Sequence, residues 1–203
     1  DPVTIGAMVG PEAFTEVRYL AHAKQLQALD LLPELAVEFQ QVFGRNSGGL
    51  IKPYHLEDAE TVVIALGSVL GTIKDTVDEM RAQGVKIGVL GITSFRPFPI
   101  EAIRAVTAHA KRIVVIEKCF AVGIGGIVSR DVRSAVQSRP QQVFAVVAGL
   151  GGRAITKASL HKLLLQAIED KLELLTFLDL DWGIVNRVLE REKQQRRSGP
   201  VAE

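Results

Sequence analysis

The sequence predicts a doubly wound α/β fold with a mainly parallel sheet over residues 56–170. Three observations carry that prediction: short runs rich in apolar and β-branched residues, amphipathic stretches of helix length between them, and glycine-bearing turns at the junctions.

The runs lie at 61–66 (Thr-Val-Val-Ile-Ala-Leu), 86–92, 112–116 and 143–148. They are apolar throughout rather than alternating, the habit of strands covered on both faces, as in parallel sheets. Helical segments are predicted at 72–83, 99–110, 126–138 and 156–170. Strand and helix in alternation imply right-handed crossovers, although this pattern does not encode strand order.

The flanks read differently. Residues 1–13, with Pro2, Gly6, Gly10 and Pro11, form an irregular lead-in. From Phe14 to Gln41, Val17, Leu20, Leu26, Leu29, Leu32, Leu35 and Phe39 recur at largely helical spacing, and Pro33 is expected to break the helix or start a second one. Gly44 to Gly49 is a turn cluster and a candidate boundary. After Asp170 comes an ambiguous stretch, readable as strand or helix. An exposed helix at 184–197 follows, and the last six residues read as disordered. The organisation predicted is a linker and helical lead-in at 1–55, the α/β domain at 56–170, and a C-terminal helical extension with a basic tail at 171–203. Residues 187–197 carry five basic and two acidic side chains, which reads as a solvated helix face or a dock for an acidic partner.

Composition bounds the function. Of 203 residues, 47% are hydrophobic and 23% charged, an ordinary globular balance. The formal net charge is +1 and aromatics are 5%, so neither a basic field nor base stacking points to nucleic acid. No apolar run reaches the roughly 18 residues of a membrane helix, and the N-terminus has no signal-peptide pattern. A single cysteine, Cys119, rules out an internal disulfide and a cysteine metal cluster, and fits a cytoplasmic location. It is expected to be a buried, inert thiol. The chain opens on Asp1 rather than Met, the start expected of a fragment or a processed product.

Four segments follow predicted strands where ligands or partners can sit. Gly67-Ser68-Val69-Leu70-Gly71-Thr72 opens a helix, whose N-terminus with the Ser68 and Thr72 hydroxyls suits an anion; the same residues also serve as a plain cap and turn. Gly123-Ile124-Gly125-Gly126 follows the third strand, with Glu117-Lys118-Cys119 on the border of the same crevice; close helix–sheet packing is the other reading of those glycines. Gly149-Leu150-Gly151-Gly152-Arg153 follows the fourth, readable as a plain turn or as a contact in which Arg153 pairs with a phosphate or a partner carboxylate, with Thr156 placed as an N-cap. Phe95-Arg96-Pro97-Phe98-Pro99 follows the second; an arginine between aromatic rings makes a strong interface anchor, Phe95 and Phe98 as ordinary core under the helix are the other reading, and Pro99 suits a first helical position. None of these matches a dinucleotide fingerprint or a P-loop. His22, His55, His109 and His161 lack metal-ligand spacing, and no nucleophile–base pair stands out. No catalytic residue and no metal ligand is therefore assigned.

Several segments together carry a resemblance: Phe43-Gly44-Arg45-Asn46-Ser47-Gly48-Gly49-Leu50, Glu57-Asp58-Ala59-Glu60, Gly67-Ser68-x-x-Gly71-Thr72, Phe95-Arg96-Pro97-Phe98-Pro99 and Val147-Ala148-Gly149-Leu150-Gly151-Gly152-Arg153. In this order, over residues 1–170, they resemble the C-terminal part of the α subunit in the 2-oxoacid:ferredoxin oxidoreductase family, pyruvate enzymes foremost. The resemblance implies a transketolase C-terminal-domain-like fold. It also implies membership of an assembly that oxidatively decarboxylates a 2-oxoacid with coenzyme A and passes electrons to ferredoxin. Thiamine diphosphate, Mg and iron–sulfur clusters would belong to other regions or subunits, and no cofactor is expected on this chain alone. The implied role is a non-catalytic scaffold within a hetero-oligomer of thiamine-binding and iron–sulfur subunits, with ferredoxin an indirect partner and the chain alone inactive. Gly67, Ser68, Gly71, Thr72, Gly123 and Gly125 are carried as crevice or anion-binding positions. Phe95, Arg96, Phe98 and Arg153 are carried as interface positions. Two rival functions remain: a stand-alone module binding a small anion or nucleotide, and a domain of a related thiamine-dependent 2-oxoacid dehydrogenase or transketolase-like enzyme.

Overall fold

The computed structural model describes residues 8–137 and 139–197. The disorder predicted for the last six residues falls outside them. Six strands form one sheet: β1 Ile51–Tyr54, β2 Thr61–Ala65, β3 Ile87–Ile92, β4 Arg112–Glu117, β5 Gln142–Val147 and β6 Leu175–Phe177. Their spatial order is β1-β3-β2-β4-β5-β6. Every pairing is parallel except β1 with β3, which runs antiparallel in register Ile51 opposite Ile92. The four predicted strands stand, each within a residue or so of its expected bounds.

The sheet is wider than residues 56–170. β1 lies in the predicted lead-in and β6 in the predicted extension. Both are short edge strands, and their burial is only partial. β1 also contains Pro53, which an edge strand tolerates because one side of it needs no ladder donor.

Helices cover both faces. α2 Val69–Ala82 and α5 Lys157–Ile168 lie on one, α3 Ile100–Val106 and α4 Val128–Ala135 on the other. Strand residues alternate between the two cores. Val63, Val114 and Phe144 pack with Ile73 and Met80 of α2 and Leu164 of α5, whereas Ile64, Val115 and Val143 pack with Ile103 of α3 and Val132 of α4. This two-sided burial explains why β2 and β3 are apolar without alternation. At roughly 1.5–3 kcal/mol for each large side chain withdrawn from water, these two layers hold the fold together. Arg112 at the start of β4 clamps the end of α5 through a two-pronged bond to Asp170, at 2.7 and 2.8 Å.

Three local expectations are corrected. Pro33 does not break the N-terminal helix; α1 Phe14–Phe43 runs through it for 30 residues. No residue of α1 is buried, so the backbone bond lost at Pro33 is not lost inside a packed core. The helix ends at Gly44, in the left-handed conformation at φ 64°, whose N–H returns to the Gln40 carbonyl at 2.8 Å. Pro99 occupies the N-cap of α3 rather than its first helical position, with ψ 66° outside the helical range. The helices at 99–110 and 126–138 also end early, at Val106 and Ala135. The stretch after Asp170 proves to be both things it could be read as: strand β6, then helix α6 Trp182–Arg197.

Candidate functional site

The parallel strands run in the order β3-β2-β4-β5-β6. The chain moves from β2 outward to β3, then crosses back to β4 and proceeds the other way. The gap between β2 and β4 is thus the topological switch point, and its carboxyl edge is where open α/β sheets receive ligands. A cavity of about 540 Å³ opens there. Its floor is made by the ends of β2 and β4 and the residues just after β5, with Leu66, Ile116 and Ala148. Its walls come from Val69 and Thr72 of α2, Val128 of α4, and the turn after β5.

The polar groups around it are few. Glu117 is 5% exposed, and its carboxylate accepts three backbone N–H bonds from the start of α4: Ile127 and Val128 at 2.7 Å and Ser129 at 2.9 Å. A buried carboxylate is tolerable only when so paired, and its charge complements the positive end of the helix. The approach depends on Gly126, where a Cβ would overlap the Glu117 carboxylate. Ser129 Oγ, beside that carboxylate, is buried without a hydrogen-bond partner among the described residues.

Lys118 and Arg153 are the two cations of the lining. Lys118 is exposed and enters no ion pair among the described residues. Arg153 Nη1 donates to the Asp179 carbonyl, which ties the turn after β5 to the chain leaving β6. Ser68 stands at the N-cap of α2 with helical backbone angles and makes no side-chain cap bond. Gly67 just before it has φ 77°, a turn that favours glycine. Thr156, by contrast, caps α5 as expected, accepting the Ser159 N–H at 3.1 Å.

The predicted positions divide. Ser68, Thr72, Phe95 and Arg153 line the cavity. Gly71 leaves open space where a Cβ would stand. Gly123 and Gly125 are not in the lining; they belong to a small loop closed by reciprocal Ala121–Gly125 backbone bonds at 2.8 and 2.9 Å. That loop projects outward and exposes Val122 and Ile124. Cys119, expected to be buried, is exposed at the cavity edge because the chain has already left the sheet there. Sequence reading missed the role of Glu117. The signal was present as an acid ending an apolar strand ten residues before a helix.

Arg96 is held within its own chain. Its guanidinium stacks 4.1 Å from the Phe95 ring centroid and pairs with Asp131 of α4 at 2.7 Å. Phe95 and Phe98 meet edge to face with centroids 6.4 Å apart, half-buried against the core. The Arg96 side chain nevertheless remains 52% exposed, so one face of this plate is presented to solvent.

The family match decides the context. Residues 59–160 match the family described as pyruvate:ferredoxin oxidoreductase core domain II. The chain belongs to that family. The PorA subunit of pyruvate synthase from Methanosarcina barkeri is 42% identical over 81% of this chain and 42% of its own length. The VorA subunit of ketoisovalerate oxidoreductase from Pyrococcus horikoshii is 33% identical over 77% of this chain and 40% of its own. A solved 2-oxoglutarate:ferredoxin oxidoreductase from Magnetococcus marinus aligns with 67% of this chain and 21% of its own, at TM-score 0.47 and 18% identity. The chain thus spans about two fifths of the length of the curated relatives it matches.

The 2-oxoacid:ferredoxin oxidoreductase resemblance implies iron–sulfur clusters and a Mg-held thiamine diphosphate. One cysteine cannot ligate an iron–sulfur cluster. Among the described residues no group of three or more His, Cys, Asp or Glu side chains converges as metal ligands do. An iron–sulfur cluster therefore does not fit the donors that this chain carries. No described helix is long and apolar enough to cross a membrane.

Proposed function

We propose that this chain is the scaffold and interface domain of a 2-oxoacid:ferredoxin oxidoreductase, pyruvate being the favoured acid. The carrying observation is the match of residues 59–160 to core domain II of pyruvate:ferredoxin oxidoreductase. Similarity to subunits named for pyruvate and for ketoisovalerate, at 42% and 33% identity, supports a domain common to enzymes of different acids. A shared domain of this kind buttresses the reaction centre rather than choosing the acid.

In this reading the chemistry comes from elsewhere in the assembly. Thiamine diphosphate would supply the decarboxylation chemistry and iron–sulfur clusters the electron transfer toward ferredoxin, both held by other parts of the assembly; the protein's part is orientation. This chain supplies a rigid sheet and two projecting arms, α1 and α6, to thiamine-binding and iron–sulfur partners in a cytoplasmic hetero-oligomer. Exposed apolar side chains on both arms, including Leu20, Val42, Phe43, Ile184 and Val188, support docking. Phe95, Arg96, Phe98 and Arg153 are the proposed anchors of the sheet's carboxyl edge.

The test is a native pull-down of this chain from its own cells, with mass spectrometry, visible absorption and a pyruvate- and coenzyme-A-dependent ferredoxin reduction assay. Co-purification with brown, active partners is expected, and no turnover by the chain alone. A lone, colourless protein would overturn the proposal and favour the stand-alone binding module.

A further inference from the structure

We infer that the switch-point cavity binds a compact organic anion, one with a carboxylate or phosphate head on an apolar body. The inference rests on the cavity itself and does not depend on the assembly proposed above. Three features agree on that class of ligand.

The first is the head site. At the mouth of the cavity the first turn of α2, fourteen residues long, has no side-chain cap. The Leu70 and Gly71 N–H groups of that turn bond the Gly67 and Ser68 carbonyls at 3.2 Å, which leaves the Ser68 and Val69 N–H groups, without a partner among the described residues, and the positive dipole end for an anion. Two hydroxyls accompany it: Ser68 and Thr72 line the cavity and make no side-chain hydrogen bond among the described residues.

The second is charge. The lining holds two cations, Lys118 and Arg153, and one acid, Glu117. The acid is already committed to three N–H groups of α4. Lys118 has no partner acid among the described residues, and Arg153 uses one N–H on the Asp179 carbonyl, leaving its other donors for a ligand. The uncommitted charge is therefore positive.

The third is the body site. Below these groups the lining is Leu66, Val69, Ile116, Val128, Ala148 and Ile155. A bare inorganic ion would leave about 540 Å³ mostly unfilled, whereas ligand pockets of roughly 300–1,000 Å³ hold small organic molecules by just this mixture of apolar walls and few polar groups.

The experiment is a ¹⁵N-amide NMR titration of the 203-residue chain with phenyl phosphate, phenylacetate and inorganic phosphate. Saturable shifts confined to 66–72, 117–119 and 149–153 are expected with at least one aromatic anion, and inorganic phosphate should bind roughly tenfold more weakly or worse. Whichever of phenyl phosphate and phenylacetate binds more tightly identifies the head. Two variants keep the fold safe: Lys118→Gln removes an exposed charge, and Ser68→Asp places a carboxylate where the anion head would sit, at a helix position that favours it. Each should weaken binding by roughly tenfold, the worth of one charge-assisted contact. Absence of localised shifts up to millimolar concentration, or affinity unchanged in both variants, would overturn the inference.

Discussion

Glu117 and Ser129 are joined by a 2.9 Å bond from the Ser129 N–H to the Glu117 carboxylate, the innermost of three that seat α4 on the end of β4. The capping acid comes from a neighbouring strand, so one side chain fixes both the helix position and the wall of the cavity. Glu117→Gln replaces an ionised acceptor with an amide whose NH₂ faces backbone donors. We expect a loss of about 1–3 kcal/mol, read as a lower midpoint in urea or heat denaturation. Gly126→Ala, which drives a methyl group into the same carboxylate, should cost about as much, 1–3 kcal/mol. An unchanged midpoint in both variants would remove Glu117 as the structural cap.

Acid should weaken the fold through a second carboxylate. The hydrogen bond from Arg112, reinforced by its charge, holds Asp170 below the ordinary carboxylate range. A group whose pKa is depressed by folding contributes stability above its unfolded value, and that stability is lost as pH falls through the folded value. Asp58, held down by Arg81, and Glu60, held down by Lys111, act in the same direction. Stability should therefore decline as pH drops below the normal carboxylate range, and less steeply in Asp170→Asn. Denaturation curves across acidic pH check this; parallel curves for the two proteins would contradict it.

Thr156 is the side-chain N-cap of α5, with extended backbone angles and its Oγ1 accepting the Ser159 N–H. Thr156→Ala should destabilise the chain by about 1 kcal/mol, and Thr156→Asp should restore most of it. For a chain of this size that corresponds to a melting shift of roughly 2–4 °C, which calorimetry resolves.

The reasons for what sequence reading reached are visible in particular residues. β2 and β4 were legible because both faces of each are buried, which forces an apolar run. β1 escaped because an edge strand buries little, and Lys52 and Pro53 sit in it; the three-residue β6, also an edge strand, stayed ambiguous between strand and helix for the same reason. Thr156 announced its cap because the capping acceptor lies on the helix's own chain entry. Glu117 did not, since its partners lie ten to twelve residues away and meet it only in three dimensions. The cavity was half legible. Each glycine turn could be placed after its strand, but strand order decides which turns face one another, and the switch between β2 and β4 selected the turns at 67 and 149 over the loop at 123.

Arg96 offers a test of the interface proposal that separates docking from folding. Its bond to Asp131 is a half-exposed ion pair, worth about 0–1 kcal/mol to the fold. At an interface, the same side chain fixed over an aromatic plate is the kind of anchor whose truncation costs about 2 kcal/mol or more. Arg96→Ala should leave the melting temperature of the chain nearly unchanged and weaken co-purification with its partners. Normal assembly by the variant, measured by quantitative pull-down, would remove Arg96 from the interface.

The first helix gives the sharpest contrast between the two kinds of stability. α1 spans 30 residues without one buried side chain, about 45 Å at 1.5 Å per residue. A helix packed on its own domain would behave like α5, where truncating the fully buried Leu164 should cost about 2–5 kcal/mol. Leu20 and Leu26 of α1 are instead 60% and 44% exposed. Replacing both by Ser should leave the denaturation midpoint within about 0.5 kcal/mol of the parent, as surface changes do. If α1 is a docking arm, the same pair of substitutions should reduce partner capture from cell extract by an order of magnitude or more, since each buried leucine contributes roughly 1.5–3 kcal/mol. Equal loss of stability and of capture would mean that α1 packs on this domain after all. Loss of neither would leave the arm without a partner and restrict the interface to the sheet's carboxyl edge.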